Sequence, residues 1–184
     1  GPFAFVFDTG SDGAFFHRDF ARELQLEVTG SSIVGAPGGP ATIAVDEHTI
    51  DSIAIGAATF EDLGALSHED AMLRDGLGET KGVIGLSTFA DCLVTLDFPG
   101  ERLVIQRGAL SEDEGTLGYR IDEYGLPAIA IEVDGNEIES HLDTGNPGGF
   151  MLPAKYESEL TLESPPIVVG RGRTASGEFE VRHA

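Results

Sequence analysis

The chain has 184 residues, and 41% of them are hydrophobic, which is enough for one large or two small domains with a sizeable core. The 25 glycines and 9 prolines are typical of a loop-rich globular protein and argue against a coiled coil, a collagen helix or simple disorder. Acidic residues outnumber Lys and Arg by 32 to 11, and the formal net charge of −21 disfavours binding to nucleic acid or to an anionic membrane surface. Because no apolar run approaches the roughly 20 residues of a membrane helix, we expect no membrane insertion.

Short β-prone runs, ended by Gly, Pro, Asp or Asn, follow one another along the chain. They predict strands at residues 3–7, 42–45, 50–55, 92–98, 103–106, 128–133, 138–142 and 167–169. Helical spacing of apolar residues is confined to residues 17–26 and 86–90. The dipeptides Pro99-Gly100 and Asp134-Gly135 predict hairpin turns between strands. The sequence therefore predicts a mostly β protein with small helices.

An internal repeat divides the chain into two halves. Residues 5–16 align with residues 140–151 at a single offset of 135 residues, and both copies carry Asp-Thr-Gly directly after an apolar strand. Residues 108–118 between the halves are acidic and poor in apolar anchors, which is typical of a linker. We therefore predict a first domain at 1–108, a linker at 109–118 and a second domain at 119–184.

The two Asp-Thr-Gly copies bring Asp8 and Asp143 forward as a catalytic pair. A single copy would be read as a β-turn, but two copies in a repeat are much harder to attribute to chance. Two carboxyl groups held close together share one proton, so that one remains an acid while the other remains a base. Such a pair can activate a water molecule for attack on an amide carbon.

The residues after each Asp fit a supporting role. Thr9 and Thr144 can hydrogen-bond to the opposite loop and hold the two carboxylates in register. Gly10 and Gly145 have no Cβ and allow the two backbones to approach closely.

With these motifs, the sequence resembles aspartic peptidases of the pepsin and retropepsin superfamily, in the style of bacterial aspartyl proteases. The resemblance also covers the Gly-rich segment at the family's substrate-covering flap, made of Gly35, Ala36, Pro37, Gly38 and Gly39. It further covers the family's hydrophobic-hydrophobic-Gly element behind the Asp loop, made of Val83, Ile84 and Gly85. Judged by their residues alone, residues 35–39 would be interpreted as a surface turn and residues 83–85 as an ordinary buried strand. The resemblance implies two β-barrel lobes of the acid-protease type, a catalytic pair at their junction and, from its bacterial members, export from the cell.

Two departures from the family pattern concern the second half. Asn146 stands where the family more often has Ser or Thr, whose hydroxyl bonds the carboxylate; Ser11 fits that role in the first loop, and the Asn146 amide can donate a similar bond. The stretch after Asp143 is also much shorter than the one from Asp8 to the end of the first domain. We therefore expect a truncated second lobe that a missing segment or a second chain completes.

Other reactive motifs are weak. Cys92 is the only cysteine, which excludes an intrachain disulfide and a cysteine-based metal cluster and indicates a core thiol. The histidines are scattered and are interpreted as structural or solvated, namely His17, His48, His68, His141 and His183. We expect no metal ion and no cofactor.

The sequence thus predicts an aspartic endopeptidase that binds a peptide or protein substrate in an extended conformation. Two alternatives stay open. One is a catalytically silent relative that binds peptides in the same cleft, and the other is a retropepsin-like lobe that acts as a homodimer through Asp8 alone.

Overall fold

The structure is a computed structural model that describes residues 2–35, 42–69, 78–110, 116–146, 148–174 and 177–184. These residues are mostly β and include a curled half-barrel sheet, which confirms the mostly β fold class. One α-helix, α1 (Arg18–Glu23), and two short 3-10 helices, Leu86–Phe89 and Ala154–Tyr156, accompany the strands. Within the described ranges, no helix has both the length and the apolar character required to cross a membrane.

A six-stranded sheet occupies the first half of the chain. Its strands, in chain order, are β1 (Val6–Asp8), β2 (Ala14–His17), β3 (Gly30–Gly35), β4 (Thr42–Ile55), β5 (Ala58–His68) and β6 (Gly82–Gly85). Their spatial order is β1-β6-β2-β5-β4-β3, so that β6 is inserted between β1 and β2. β6 pairs parallel with β1 and antiparallel with β2. The chain that connects β1 to β2 therefore forms a loop over the end of β6.

An aromatic and alanine cluster forms the core beneath this sheet. Phe16 is 1% exposed, and its ring meets Phe20 of α1 edge-on, with centroids 5.7 Å apart. The small side chains Ala14, Ala21 and Ala65 complete the buried cluster around them. Because β2 contributes both Ala14 and Phe16, burial of this strand fixes the chain that leaves the first Asp-Thr-Gly loop.

The remaining strands form three smaller units. A hairpin of β7 (Leu93–Asp97) and β8 (Arg102–Gln106) follows the six-stranded sheet. A three-stranded sheet has the order β11-β10-β9 and consists of β9 (Arg120–Ile121), β10 (Pro127–Val133) and β11 (Asn136–His141). The last unit is the hairpin of β12 (Ile167–Thr174) and β13 (Gly177–His183). The linker predicted at 109–118 lies partly outside the described residues.

Several predicted elements differ from those observed. The strands predicted at 42–45 and 50–55 are one strand, β4, because β5 pairs with all the polar residues between them and β3 pairs with the first two, Asp46 and Glu47. The predicted strand at 3–7 is shifted to Val6–Asp8, where β6 supplies its partner. The helix predicted at 17–26 is only six residues long, because His17 belongs to β2 and Gln25, with a φ of 56°, cannot continue the helix. Cys92, expected in a buried strand, is half-buried just before β7.

The two hairpin turns were predicted correctly. Asp134 and Gly135 join Val133 to Asn136, and both have positive φ, 51° and 74°, as the tight two-residue turn of a hairpin requires. Pro99 and Gly100 lie in the loop between β7 and β8.

Candidate active site

The Asp8 loop, residues 8–11, begins where β1 ends against the buried strand β6. Asp8 is in register with Gly85, and the Gly85 amide donates to the Gly13 carbonyl at 2.7 Å. A Cβ on Gly85 would overlap the Ser11 carbonyl group, so the loop packs on this residue only because it is glycine. Val83 and Ile84 pair with β1 in the same ladder, so β6 directly supports the Asp8 loop.

The Asp143 loop, residues 143–146, follows β11 and repeats the hydrogen bonding of the first loop. The Gly145 amide donates to Oδ1 of Asp143 at 2.8 Å, and the Gly10 amide donates to Oδ1 of Asp8 at 2.8 Å. Each carboxylate is thus oriented by the glycine two residues after it. The internal repeat of the sequence therefore corresponds to a repeat of local geometry.

The two loops meet through a crosswise set of threonine hydrogen bonds. The Thr9 amide donates to Oγ1 of Thr144 at 3.1 Å, and the Thr144 amide donates to Oγ1 of Thr9 at 3.0 Å. Each hydroxyl then donates to the strand that precedes the opposite loop: Thr144 to the Phe7 carbonyl at 3.1 Å, and Thr9 to the Leu142 carbonyl. These bonds join the backbones of the two loops across 135 residues of sequence.

Both loop glycines lie directly under the carboxyl group of the opposite loop. A Cβ on Gly10 would lie 2.5 Å from the carboxyl carbon of Asp143, and a Cβ on Gly145 would lie 2.6 Å from that of Asp8. The Gly145 amide also donates to Oδ1 of Asp8 at 3.2 Å. The close approach of the loops therefore requires glycine at both positions.

The environment of Asp8 raises the pKa of its carboxyl group. Burial of this half-buried side chain contributes most, and the neighbouring Asp143 carboxyl adds to it through its charge and through a hydrogen bond. The amides of Gly10 and Gly145 oppose the rise in pKa because they stabilise the ionised form. Asp143 is the more exposed member of the pair. This arrangement favours a proton on Asp8.

The other predicted site residues, Ser11, Asn146 and the flap segment, differ in how the structure places them. The Ser11 amide donates to the Asp8 carbonyl at 3.3 Å. Asn146 closes its own turn, because its Oδ1 accepts from the Gly148 amide at 2.9 Å and its Nδ2 donates to the Gly149 carbonyl at 3.3 Å. Gly35 ends β3 opposite Thr42. The other residues of the predicted flap, Ala36, Pro37, Gly38 and Gly39, lie outside the described residues.

A cavity of about 480 Å³ adjoins the end of the Asp8 loop. Asp12, Gly13 and Ala14 line one side, and residues of β4 and β5 line the other. Its lining includes the carboxylate of Glu47 and the buried imidazole of His48, which bonds the Ser67 hydroxyl at 2.9 Å. The cavity thus begins where the chain leaves the Asp8 loop, and its volume can hold a side chain.

One polar pair near the Asp143 loop was not singled out by the sequence. Nε2 of His141 lies 2.7 Å from Oδ2 of Asp122, whose side chain is 4% exposed. Although burial alone would raise the pKa of Asp122, the amides of Leu126 and Tyr124 and the His141 ring outweigh it and lower that pKa. The structure has a turn at residues 122–125, but the sequence carries no signal that links Asp122 to a histidine 19 residues later.

Among the described residues, no group of three or more His, Cys, Asp or Glu side chains is arranged to hold a metal ion. His17 and His48 are buried and hydrogen-bonded within the first half, in agreement with the structural interpretation of these residues.

Comparison with known proteins supports an aspartyl protease family. Residues 1–88 match a family model described as aspartyl protease. The matched segment includes the Asp8 loop and β6 and ends before the Asp143 loop. No curated protein and no solved structure matched the chain. The match supports protease function in general.

Proposed function

We propose that this protein is an aspartic endopeptidase of the pepsin and retropepsin-like type, with Asp8 and Asp143 as its catalytic residues. The observation that carries the proposal is the crosswise hydrogen bonding of Thr9 and Thr144, which brings two identically built acidic loops together. Two turns with unrelated functions would have no need of reciprocal bonds or of a glycine beneath each carboxyl group.

In the proposed reaction, a water molecule lies between the two carboxyl groups. The ionised carboxylate accepts a proton from this water as its oxygen forms a bond to the carbonyl carbon of the peptide, and the protonated carboxyl donates its proton to the carbonyl oxygen. The tetrahedral intermediate then collapses, the carbon–nitrogen bond breaks, and the leaving amine takes up a proton. No covalent adduct with the protein forms and no oxidant or reductant is needed.

The pKa of Asp8 supports the assignment of the acid. Because burial and the neighbouring Asp143 carboxyl raise the pKa of Asp8, this residue is the better candidate for the proton donor in the first step. Asp143 is then the base that activates water. Thr9, Gly10, Ser11, Thr144, Gly145 and Asn146 support the pair by fixing the two loops.

The substrate is proposed to bind as an extended peptide across the two loops. We propose that the hairpin of β3 and β4, which has Gly35 at its described end, covers this peptide. The cavity beside Asp12 would take one substrate side chain. Since Asp12 and Glu47 line it and form no ion pair among the described residues, a polar or cationic side chain fits it better than an acidic one.

The proposal is tested by peptide cleavage with the variants Asp8→Asn and Asp143→Asn. Asparagine keeps the shape of each side chain and its acceptor for the loop amide but cannot exchange the proton. We expect each variant to lose at least about a hundredfold in kcat on a peptide library analysed by mass spectrometry. Glu139→Gln is the matched control, because it also neutralises a carboxylate but lies on β11 outside both acidic loops.

The two alternatives give different results in the same experiment. Peptide binding without cleavage from acidic to neutral pH would identify a silent relative of the peptidases, which the closed turn of Asn146 makes worth testing. Full activity in Asp143→Asn together with an inactive Asp8→Asn would indicate a homodimer that uses Asp8 twice. Unchanged cleavage in both variants would remove the proposed mechanism.

A further inference from the structure

The two acidic loops have unequal support from the strands that precede them. β1 leads to Asp8 and is paired with β6, all four residues of which are buried. β11 leads to Asp143 and is paired with β10, of which only Pro127 and Ala128 are buried. β1 and β11 are both edge strands of their sheets, so the difference lies in the burial of the strand that supports them. A catalytic pair requires both carboxylates to be fixed equally well, because a displacement of about 1 Å can cost about a hundredfold in rate.

The hydrogen bond between His141 and Asp122, here called the brace, supports the strand that leads to Asp143. Oδ1 of Asp122 accepts from the Tyr124 and Leu126 amides, both at 2.9 Å, so this carboxylate is fixed by its own turn. Oδ2 remains for Nε2 of His141 at 2.7 Å. A hydrogen bond between a buried carboxylate and an imidazole is of the charge-assisted, stronger kind.

His141 lies close to the Asp143 loop in the chain, so its hydrogen bond to Asp122 can fix the position of that loop. His141 is the last residue of β11, opposite Ala128, and lies two residues before Asp143. The next residue, Leu142, donates its amide to the Pro127 carbonyl at 2.9 Å and accepts the Thr9 hydroxyl through its own carbonyl. The His141 side chain is therefore anchored one residue before the crosswise bonds between the loops begin.

The turn that holds Asp122 also contacts the first loop. A Cβ on Gly125 would lie 2.7 Å from the carboxyl carbon of Asp12, so the backbone of this turn packs directly against the Asp12 side chain. Residues 122–126 thus touch the chain that leaves the Asp8 loop and hold the strand that enters the Asp143 loop. A change in the turn would be transmitted to both sides of the pair.

We propose that Asp122 and His141 are positioning residues that fix the Asp143 loop against the Asp8 loop, in the place that β6 occupies for Asp8. This inference rests on the proposed function for its kinetic consequence, but its structural part concerns only the distance between the two acidic loops. Neither residue touches the reacting atoms, and their effect is exerted through Leu142 and the crosswise hydrogen bonds.

The kinetic test compares His141→Ala and His141→Gln with the control Glu139→Gln. Glu139 lies two residues earlier on the same strand and forms an ion pair with Arg120, so its replacement disturbs β11 without touching the brace. We expect His141→Ala to lower kcat on the order of tenfold or more with KM changed less than about twofold, since the pair is misplaced while the cleft is intact. Glutamine can donate its amide to Asp122 and should recover most of the loss.

Asp122→Asn gives a second, independent variant. Its Oδ1 can still accept the two backbone amides, so the turn is retained, while the negative charge that faces His141 is removed. We expect a loss in kcat in the same direction, and the double variant with His141→Ala should be no worse than His141→Ala alone, because both changes break one interaction. This variant keeps the test usable if His141→Ala does not fold.

A readout without catalysis separates this inference from the proposed function. Carboxyl carbon NMR follows the titration of Asp8, whose pKa is raised in part by the nearness of Asp143. In His141→Ala we expect this pKa to move toward the ordinary value of aspartate, and in Glu139→Gln to stay where it is. A wild-type protein that cleaves nothing but shows this shift would refute the peptidase and retain the brace. An Asp8 titration and a kcat that are unchanged in His141→Ala would overturn the brace.

Discussion

Asp8 and Asp122 show how one residue type acquires opposite properties from its surroundings. Burial and the adjacent Asp143 carboxyl raise the pKa of Asp8 despite two amide donors. The Asp122 side chain is also removed from solvent, being 4% exposed, yet two amides and the imidazole of His141 lower its pKa. Burial alone therefore does not determine the protonation state. The neighbour that shares the site does, and only Asp8 has a second carboxyl group as that neighbour.

The raised pKa of Asp8 predicts how the stability of the fold depends on pH. The folded protein holds this proton more tightly than the unfolded chain, so the free energy of unfolding falls as pH rises from the ordinary aspartate value, 3.8, through the raised one. Asparagine at position 8 does not titrate, so the variant does not lose this stability as pH rises. We expect Asp8→Asn to unfold at a higher urea concentration than the wild type at pH 7 and at nearly the same concentration at pH 3.

Urea unfolding curves at the two pH values check this expectation, with Glu139→Gln as a control for the general loss of one negative charge. An Asp8→Asn protein that is less stable than the wild type at pH 7 would show that the Asp8 carboxylate is favourable in the fold. That result would contradict the strained, proton-sharing pair.

At the scale of elements, the two loops act as one unit because their threonines exchange bonds. Thr9 is 7% exposed and its hydroxyl both accepts from Thr144 and donates to Leu142. Thr144 has the matching bonds but is exposed to solvent. Both hydrogen bonds of the Thr9 hydroxyl are partly buried, whereas one of the two bonds of the Thr144 hydroxyl is exposed to solvent.

This asymmetry gives unequal costs for the same substitution. We expect Thr9→Val to lower the free energy of unfolding by about 1–3 kcal/mol, because it removes two partly buried hydrogen bonds, and Thr144→Val to lower it by less, because one of the two bonds that it removes is exposed. Thr95→Val, at an exposed position of β7, should change it by less than about 0.5 kcal/mol. Denaturant unfolding measures all three, and equal losses in Thr9→Val and Thr144→Val would contradict the burial argument.

The sequence predicted the loops better than the strands that carry them. The Asp-Thr-Gly motif can be recognised in the sequence because each of its three residues has a separate chemical role. The repeat at a single offset then identified both copies. β2 was missed because it is four residues long and follows the loop immediately, without a polar boundary. β4 was divided in two because Asp46, Glu47 and His48 look like a loop until their partners on β3 and β5 are known. The His141–Asp122 brace depends on a contact between distant residues and has no local pattern.

At the scale of the whole molecule, the net charge of −21 sets the field that a substrate meets. Long-range attraction between an acidic protein and a cationic peptide raises the rate of encounter and is screened by salt. The Debye length shrinks from roughly 30 Å at 0.01 M to roughly 3 Å at 1 M ionic strength. The field thus favours basic peptides at low salt without determining which bond is cut.

We therefore expect kcat/KM for a lysine-rich peptide to fall on the order of tenfold from low to high salt. A neutral peptide with the same cleavage site should change little, and an acidic one should be cleaved faster as salt screens the repulsion. Initial rates for the three peptides across a salt series measure the effect. Equal salt dependence for all three would contradict steering by the net charge.

The pH dependence of kcat/KM on a peptide cut at a single bond tests the central claim most directly. If Asp8 and Asp143 share one proton, activity requires the singly protonated pair, and we expect a bell-shaped profile whose upper limb marks loss of the proton from Asp8. Asp8→Asn and Asp143→Asn should show no such bell at any pH. A profile that rises to a plateau at neutral and alkaline pH, or one that keeps its shape when either aspartate is replaced, would contradict a hydrolytic pair of carboxyl groups.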